Sequence, residues 1–455
     1  MDSNLKLYFF GGAQEVTGAC YLLEAEDEKI LIDCGLFQGL KINEDKNYEP
    51  FGFNPKEISA VLVTHAHLDH VGRIPKLFKE GFRNKIFSTP PTRPLAKLIL
   101  LDSLGVMEKE MRKDKRDENL YEEADINKAI DLWEIKDYHQ DFRIGEFEIV
   151  FKDAGHILGS SIIEVKYKNK KIVFTGDLGN PPNPLLKDTE KIIDADYLII
   201  ESTYGDKTHE KIEEANLKLE RIIEDNVHKQ GVLMIPALSL ERTQKILFEI
   251  NNLVENGRIP RVSVFLDSPL AIKATEIYKK YQNYFNENAK EIILSGDELF
   301  VFPGLKNTLS SQESKKINNV PPPKIIIAGS AMSNGGRILH HEYSFLPDDK
   351  NTLLLISYQA VGSLGRFLEE GAKSVNIFGE NIPVRAAVEK IQGYSAHPDI
   401  NGLTDFAQNT ADSLKKVFVV QGEPKTSLFF VQRLKDCLCL DAVAPKLGES
   451  FELQL

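Results

Sequence analysis

Short apolar runs alternate with charged, helix-spaced stretches along this chain. Over the first 205 residues, Phe147–Phe151, Ile162–Val165, Lys171–Phe174 and Tyr197–Ile200 read as strands. Pro94–Met111 and Ile126–Ile135 read as amphipathic helices. That mixture suits an α/β sandwich. Near residue 206 the character changes. Lys207–Lys229 is rich in Glu and Lys at helical spacing. It is followed by a strand at Gly231–Pro236, a helix at Leu240–Asn251, a strand at Val262–Leu266 and a helix at Leu270–Lys280. Pro321-Pro322-Pro323 then precedes the strand Lys324–Ala328, and Thr352–Ser357 is a further apolar strand. Strand and helix in units of about 30 residues imply a parallel sheet. The pattern therefore predicts a second α/β domain from residue 206 onward. No internal repeat and no low-complexity tract interrupts it.

Composition narrows the class. At 455 residues the chain exceeds one typical domain, and two is the natural expectation. Its 42% hydrophobic and 27% charged residues are ordinary for a soluble globular protein. No run of about 18 apolar residues occurs, so no membrane span is expected. Met1-Asp2-Ser3-Asn4-Leu5-Lys6 lacks a basic stretch followed by an apolar one, so no signal peptide is expected either. The four cysteines, at 20, 34, 437 and 439, are too few and scattered for a disulfide framework, which fits a reducing cytoplasm. Cys437-Leu438-Cys439 lacks partner ligands and reads as a buried apolar pair.

The net charge of −12 is awkward for a nucleic-acid binder, which usually carries a basic surface. Bound divalent metals would add local positive charge that formal counting omits. The basic run Lys109–Arg116 is interleaved with acids and reads as a solvated helix face.

The densest chemistry lies in Thr64-His65-Ala66-His67-Leu68-Asp69-His70, directly after the apolar run Ile58–Val63. Three imidazoles and a carboxylate stand within six positions of a chain that has only ten histidines. These are the usual nitrogen and oxygen ligands of zinc. Side chains two apart on an extended segment face the same way, so His65 and His67 can reach one metal. Asp69 and His70 follow as the chain turns and can reach a second.

The cluster resembles the His-x-His-x-Asp-His signature of the metallo-β-lactamase superfamily. Upstream, Phe9–Gly18 leading to Ile30-Leu31-Ile32-Asp33-Cys34-Gly35 is similar to its opening hairpin and aspartate-bearing strand. Downstream, Ala154–Ser160 and Phe174–Gly179 resemble its third and fourth motifs and supply His156 and Asp177. Six further segments identify the branch as β-CASP. Ile200-Glu201-Ser202-Thr203-Tyr204-Gly205 resembles motif A, and Gly393-Tyr394-Ser395-Ala396-His397 resembles motif B. Between them stand Ile235–Gln244, with Arg242-Thr243-Gln244, and Phe265–Ala271, with Asp267-Ser268-Pro269-Leu270-Ala271. Ala328–Arg337 and Gly365-Arg366 complete the set. The match runs from about residue 7 to 425 and points to the RNA-processing branch.

The resemblance implies a four-layer αββα sandwich, residues 1–205 and 385–455, with a parallel-sheet β-CASP domain inserted at 206–384. It implies a zinc-dependent ribonuclease acting on single-stranded RNA. Two divalent metals about 3.5–4 Å apart can bridge a hydroxide and clamp a phosphoryl oxygen. His65, His67 and His156 are expected to hold one metal, Asp69 and His70 the other, and Asp177 to bridge them. His397, oriented by Glu201, is expected to give the leaving alkoxide its proton. Asp33 is expected to support the metal loop. Ser330 reads either as a phosphate contact or as a tight turn, and Arg242 and Arg337 either as nucleic-acid contacts or as internal ion pairs. Adjacent residues on a helix diverge, so His340 and His341 are not expected to share a metal, and His139, His209 and His228 lie outside any motif. The resemblance also makes a homodimer plausible, without any interface signature in the sequence.

One departure stands out. The family's motif C is typically a strand ending in His-Gly-Glu; here Val417–Val420 ends in Gln421-Gly422-Glu423. A neutral amide oxygen is a poorer zinc ligand than imidazole. The second site is therefore expected to be weaker, or to take a harder ion such as manganese. DNA-specific relatives also lack histidine there. A DNA nuclease and a binding or scaffold subunit with weakened catalysis thus remain open beside the ribonuclease, as do endonuclease and 5′-exonuclease action.

Overall fold

The structure, a computed structural model, describes residues 5–26, 28–39, 41–114, 119–360 and 362–455. The chain divides into two compact units, Met1–Asn183 with Lys187–Thr208 and His397–Leu455, and Pro184–Leu186 with His209–Ala396.

The first unit is built on two seven-stranded sheets. One has the strand order Ser450–Leu453, Leu5–Gly11, Cys20–Ala25, Glu28–Ile32, Ala60–Leu62, Lys85–Ser88, Trp133–Ile135. The other runs Ala442–Val443, Lys416–Val420, Tyr197–Glu201, Lys170–Phe174, Ser161–Tyr167, Phe147–Asp153, Phe142–Ile144. Burial alternates residue by residue along Leu5–Gly11, the signature of a strand with one face in the core. Leu7, Phe9, Ile30, Ile32 and Leu62 meet Phe151, Ile163, Val165, Phe174 and Phe418 in one apolar cluster between the sheets. Each fully buried side chain of this size contributes about 1.5–3 kcal/mol.

The second sheet also buries its outer face. Ile162, Val173, Leu198, Ile200, Val417 and Val419 pack with Leu403 and Phe406 of the helix Ile400–Gln408 and with Phe430 and Leu434 of the helix Pro424–Leu438. Tyr197–Glu201 is therefore buried at every position, which is why it reads as an unbroken apolar run ending in a carboxylate. On the first sheet, Leu31, Val61 and Ile86 face away from the inter-sheet core and are fully buried too. The helices Ile74–Lys79 and Thr92–Asp114 both pack against the helix Glu123–Asp131.

The second unit is a six-stranded sheet, all parallel, in the order Leu305–Asn307, Ser263–Leu266, Lys324–Ala328, Val232–Pro236, Thr352–Leu355, Ala387–Lys390. Met234, Ile326, Leu353 and Leu355 anchor its core with Ile338, Leu346 and Leu368.

Several expectations need correction. The chain returns to the first unit at His397 rather than near 385, because Ala387–Lys390 extends the second unit's sheet beside Thr352–Leu355. Residues 184–186 also join the second unit, where Leu186 bridges Phe285. The helix expected over Ile126–Ile135 spans Glu123–Asp131, and Trp133–Ile135 is instead an edge strand parallel to Lys85–Ser88. The Trp133 indole donates to Ser88 Oγ at 2.8 Å, which ties that edge down. Cys437 and Cys439 are exposed, not buried, since Cys439 ends its helix in a left-handed turn (φ 55°). The side chains of the run Lys109–Arg116 lie outside the described residues. Among the described residues, no helix is long and apolar enough to cross a membrane.

Candidate metal centre and catalytic pair

The histidine cluster leaves the sheet where the strand Ala60–Leu62 ends. Val63 N–H donates to Phe87 O at 2.9 Å, and His67 then precedes the short helix Leu68–Val71. The loop is clamped from beside it by Asp33, which is fully buried at the end of Glu28–Ile32 and adopts a left-handed backbone (φ 58°). Its carboxylate accepts the Thr64 N–H at 2.8 Å and the Thr64 hydroxyl at 2.7 Å. The Thr64 hydroxyl also stands 3.1 Å from His65 Nδ1. The next turn is also anchored through its backbone: Cys34 N–H donates to His70 O at 2.8 Å and Ala19 N–H to Asp69 O at 2.9 Å. Gly35 passes so close that a Cβ there would stand 1.5 Å from Asp69 O. Only glycine allows this approach.

Four donor atoms converge. His65 Nε2 lies 3.1 Å from His67 Nδ1, and His156 Nε2 lies 3.3 Å from the same atom. Asp177 Oδ2 is 3.4 Å from His65 Nε2 and 3.6 Å from His156 Nε2. Ligands about 2.0–2.1 Å from a tetrahedral ion stand about 3.3 Å apart, so the spacing and the three-imidazole, one-carboxylate set fit a divalent metal. Burial drives the imidazoles of His67 and His156 well below their ordinary range, which keeps them neutral, the ligating form. His156 is positioned by Ser160, whose hydroxyl accepts the His156 N–H at 3.0 Å.

A second set shares Asp177. His70 Nε2 is 3.3 Å from Asp177 Oδ1 and 3.9 Å from Asp69 Oδ2. Burial alone would lower the His70 pKa, but the carboxylates of Asp177 and Asp33 hold it well above the imidazole range. Burial would raise Asp177, yet the imidazoles of His70 and His65 hold it well below the carboxylate range. Burial lifts Asp69. Gln421 completes this side. Its Nε2 donates to Asp177 Oδ1 at 2.6 Å and stands 2.8 Å from His70 Nε2. The departure from motif C therefore sits within the second donor set, with an amide nitrogen turned toward the ligands.

Glu201 ends the strand Tyr197–Glu201, paired in parallel register with Val420 of Lys416–Val420. It is fully buried. Oε1 accepts the Leu178 N–H at 2.8 Å, and both carboxylate oxygens stand 3.1 Å from His397 Nδ1. A carboxylate there fixes the tautomer, placing a proton on Nδ1. The His397 ring lies 4.5 Å from the His156 ring, centroid to centroid, and 6.1 Å from that of Tyr204. Asp177, Glu201 and His397 each offer an atom within 4.8 Å of the others, so the pair adjoins the metal ligands.

The remaining candidates fall in the second unit. Ser330 serves its own turn, accepting the N–H groups of Asn334 and Gly335 at 3.2 Å each. Arg337 is committed within the fold: its guanidinium reaches Asp267 Oδ1 at 2.7 Å, Thr308 O at 2.9 Å and Leu309 O at 2.8 Å. Arg242 is only 7% exposed at the start of the helix Arg242–Glu255. Ser330 and Arg337 thus have partners within the fold, and Arg242 is almost wholly buried. His341 Nε2 meets Asp267 Oδ2 at 2.7 Å, whereas His340 turns to Phe378. In the first unit, His139 pairs with Glu190 at 3.1 Å on the surface. Thr64 and Ser160 carry supporting roles that the sequence reading did not assign. Their signal was a hydroxyl inside each histidine motif.

The chain matches known families along most of its length. Residues 13–223 match the metallo-beta-lactamase superfamily, 243–368 the Beta-Casp domain and 381–445 the Zn-dependent metallo-hydrolase RNA specificity domain. The chain is 37% identical to Ribonuclease TTHA0252 of Thermus thermophilus over 93% of its own length and 94% of that protein. It is 34% identical to an RNase J-like protein of Methanocaldococcus jannaschii over 97% and 98% of the two chains. It is 31% identical to transcription termination factor FttA of Methanosarcina mazei, covering 68% of that protein. A crystal structure of a protein of unknown function from Enterococcus faecalis V583 aligns over 99% of this chain and all of that one, with a TM-score of 0.57 and 13% identity, a likeness of fold alone. The chain belongs to the β-CASP branch of the metallo-β-lactamase superfamily.

Proposed function

We propose that the protein is a divalent-metal-dependent ribonuclease that hydrolyses phosphodiester bonds of single-stranded RNA, with zinc as its metal. The observation that carries the reading is the His397–Glu201 pair set beside the His156 and Asp177 donors. A buried carboxylate that orients an imidazole beside the metal donors is suited to proton transfer. When bound, two divalent ions supply positive charge that polarises the scissile phosphate and makes water a better nucleophile. The chain's own residues do the rest. Asp33 and Thr64 hold the ligand loop rigid, so that no reorganisation is needed at the moment of reaction. Asp177 offers one oxygen to each donor set. Glu201 holds His397 by Nδ1, so the ring presents its opposite nitrogen to the leaving oxygen and gives it a proton.

Gln421 motivates the competing reading of a binding subunit with weakened catalysis, and one experiment separates the two. Labelled single-stranded RNA and DNA are incubated with the purified protein, with and without chelator, beside His67→Ala and His397→Ala. Cleavage of RNA that requires metal and falls by about 100-fold or more in both variants supports the nuclease. Binding without cleavage would favour the scaffold, and cleavage of DNA alone would move the substrate class. Undiminished cleavage in the two variants would discard the assigned site.

A further inference from the structure

Two ligands of the first donor set arrive on separate loops. His156 follows the strand Phe147–Asp153, and Asp177 follows the strand Lys170–Phe174. Thr189, which lies outside every motif, touches both loops. Its hydroxyl donates to Ala154 O at 2.8 Å, just before His156, and accepts the Gly179 N–H at 3.2 Å, just after Asp177. Gly179 O stands farther off, at 3.3 Å. Ala154 O also accepts the Gly179 N–H directly, at 2.7 Å, so the three groups close a triangle between the loops. The next residue pins the segment down: Glu190 N–H donates to Asp153 O at 2.9 Å, and Glu190 Oε1 accepts the Asp153 N–H at 2.9 Å. Gly155 permits the approach, since a Cβ there would stand 2.7 Å from Lys187 O and 2.9 Å from Thr189 N. Thr189, Glu190 and both loops belong to the first unit.

The direct bond between Ala154 and Gly179 fixes a distance between two backbones but leaves them free to pivot. The hydroxyl adds a second contact to each loop and removes that freedom. His156 Nε2 and Asp177 Oδ2 stand 3.6 Å apart. Such ligands have to be held within about 0.5 Å of their working geometry. Ser160 grips His156 from inside its own loop. Thr189 sets one loop against the other.

We propose that Thr189 is a positioning residue for the first metal, its hydroxyl fixing the His156 loop against the Asp177 loop. The proposal rests on the reading of His156 and Asp177 as metal ligands. Residues that orient ligands typically account for about 10–100-fold in metal affinity. Thr189 acts through backbone rather than on a ligand ring, which places it at the low end.

The test reads metal, not RNA. Thr189→Val keeps the shape of the side chain and removes the hydroxyl. Ala154 O and Gly179 N–H still have each other, so the substitution orphans neither. The first set, with three imidazoles, holds the tighter equivalent. Its zinc affinity, measured by competition with a chromophoric chelator, is expected to fall about 10-fold in Thr189→Val. The visible spectrum of the cobalt(II)-loaded protein should shift as well, because ligand geometry sets its bands. Thr189→Ser keeps the hydroxyl and should restore the spectrum and bring the affinity to within about threefold of the parent. A loss below about threefold in Thr189→Val, an unchanged cobalt spectrum, or a Thr189→Ser protein as weak as Thr189→Val would overturn the proposal. His156→Ala, run alongside, should abolish the tighter equivalent. If it does not, the ligand assignment falls and this proposal falls with it. Should Thr189→Val not fold, Thr189→Ala is titrated against the same threshold.

Discussion

His70 Nδ1 stands 2.7 Å from Asp33 Oδ2, and both side chains are fully buried. This contact turns the other nitrogen of His70 toward Asp177 and makes the imidazole a stronger donor. The same carboxylate oxygen also accepts the Thr64 hydroxyl, so one atom orients two neighbouring parts of the metal loop.

Asp33→Ala should therefore weaken the second metal far more than the first. The expected loss is about 10–100-fold in affinity at the Asp69, His70 and Asp177 side, read by competitive metal titration. Equal affinity at both sites in the variant and the parent would contradict this.

Gln421 sets the occupancy of that same side. Its amide nitrogen donates to Asp177 Oδ1, an oxygen the second metal needs, and only after turning over can the amide present its oxygen instead. Gln421→His should raise the second metal toward one full equivalent per chain, measured by elemental analysis after gel filtration. Two tightly held zinc ions in both proteins would remove the argument.

Arg337→Ala should lower stability rather than RNA affinity. The substitution leaves Asp267, which is fully buried, with one fewer partner, although Thr308, Ser314 and His341 remain. A loss of about 2 kcal/mol in urea unfolding is expected, with RNA binding within about twofold of the parent at matched salt. A large rise in Kd without loss of stability would reinstate the nucleic-acid role.

Glu342 predicts a pH dependence. Burial pushes its carboxyl up to about 8, and Ser333 donates to it. The unfolded group titrates near 4.3, so between about pH 4.3 and 8 the folded state binds the extra proton. Stability from this group is full below that window, falls by about 1.4 kcal/mol per pH unit within it, and levels off above. Glu342→Gln removes the titration. Its stability relative to the parent should grow steadily from pH 5 to pH 8 in urea midpoints; a constant difference would refute the assignment.

Most of the centre was legible because metal binding and proton transfer demand particular side chains at short spacing. The five residues Thr64, His65, His67, Asp69 and His70 lie within one turn of chain. Glu201 stands out as a carboxylate at the end of a run buried at every position. Four strands of the inserted sheet were legible as short apolar runs between helical stretches. What stayed hidden was set by tertiary pairing. Trp133–Ile135 has only three residues, so its helical neighbours dominate the local pattern until Lys85–Ser88 pairs with it. Ala387–Lys390 is half-buried throughout and carries no alternation, so nothing local assigns it to the second sheet. The ion pair of Arg337 could not be chosen over a nucleic-acid contact from sequence, because its partner, Asp267, lies 70 positions away. The hydrogen bonds from the Gln392 and Gly393 N–H groups to Glu210 were hidden for another reason: backbone groups have no sequence signature.

The parallel pairing of Tyr197–Glu201 with Lys416–Val420 sets an order of assembly during synthesis. His65, His67, His156 and Asp177 all emerge from the ribosome before His397, and Gln421 later still. A nascent chain can gather its first metal donors while the strands Lys416–Val420 and Ala442–Val443 of that sheet are missing and His397 is not yet made. Ligand assembly and catalytic competence are thus separated in time by more than two hundred residues of translation.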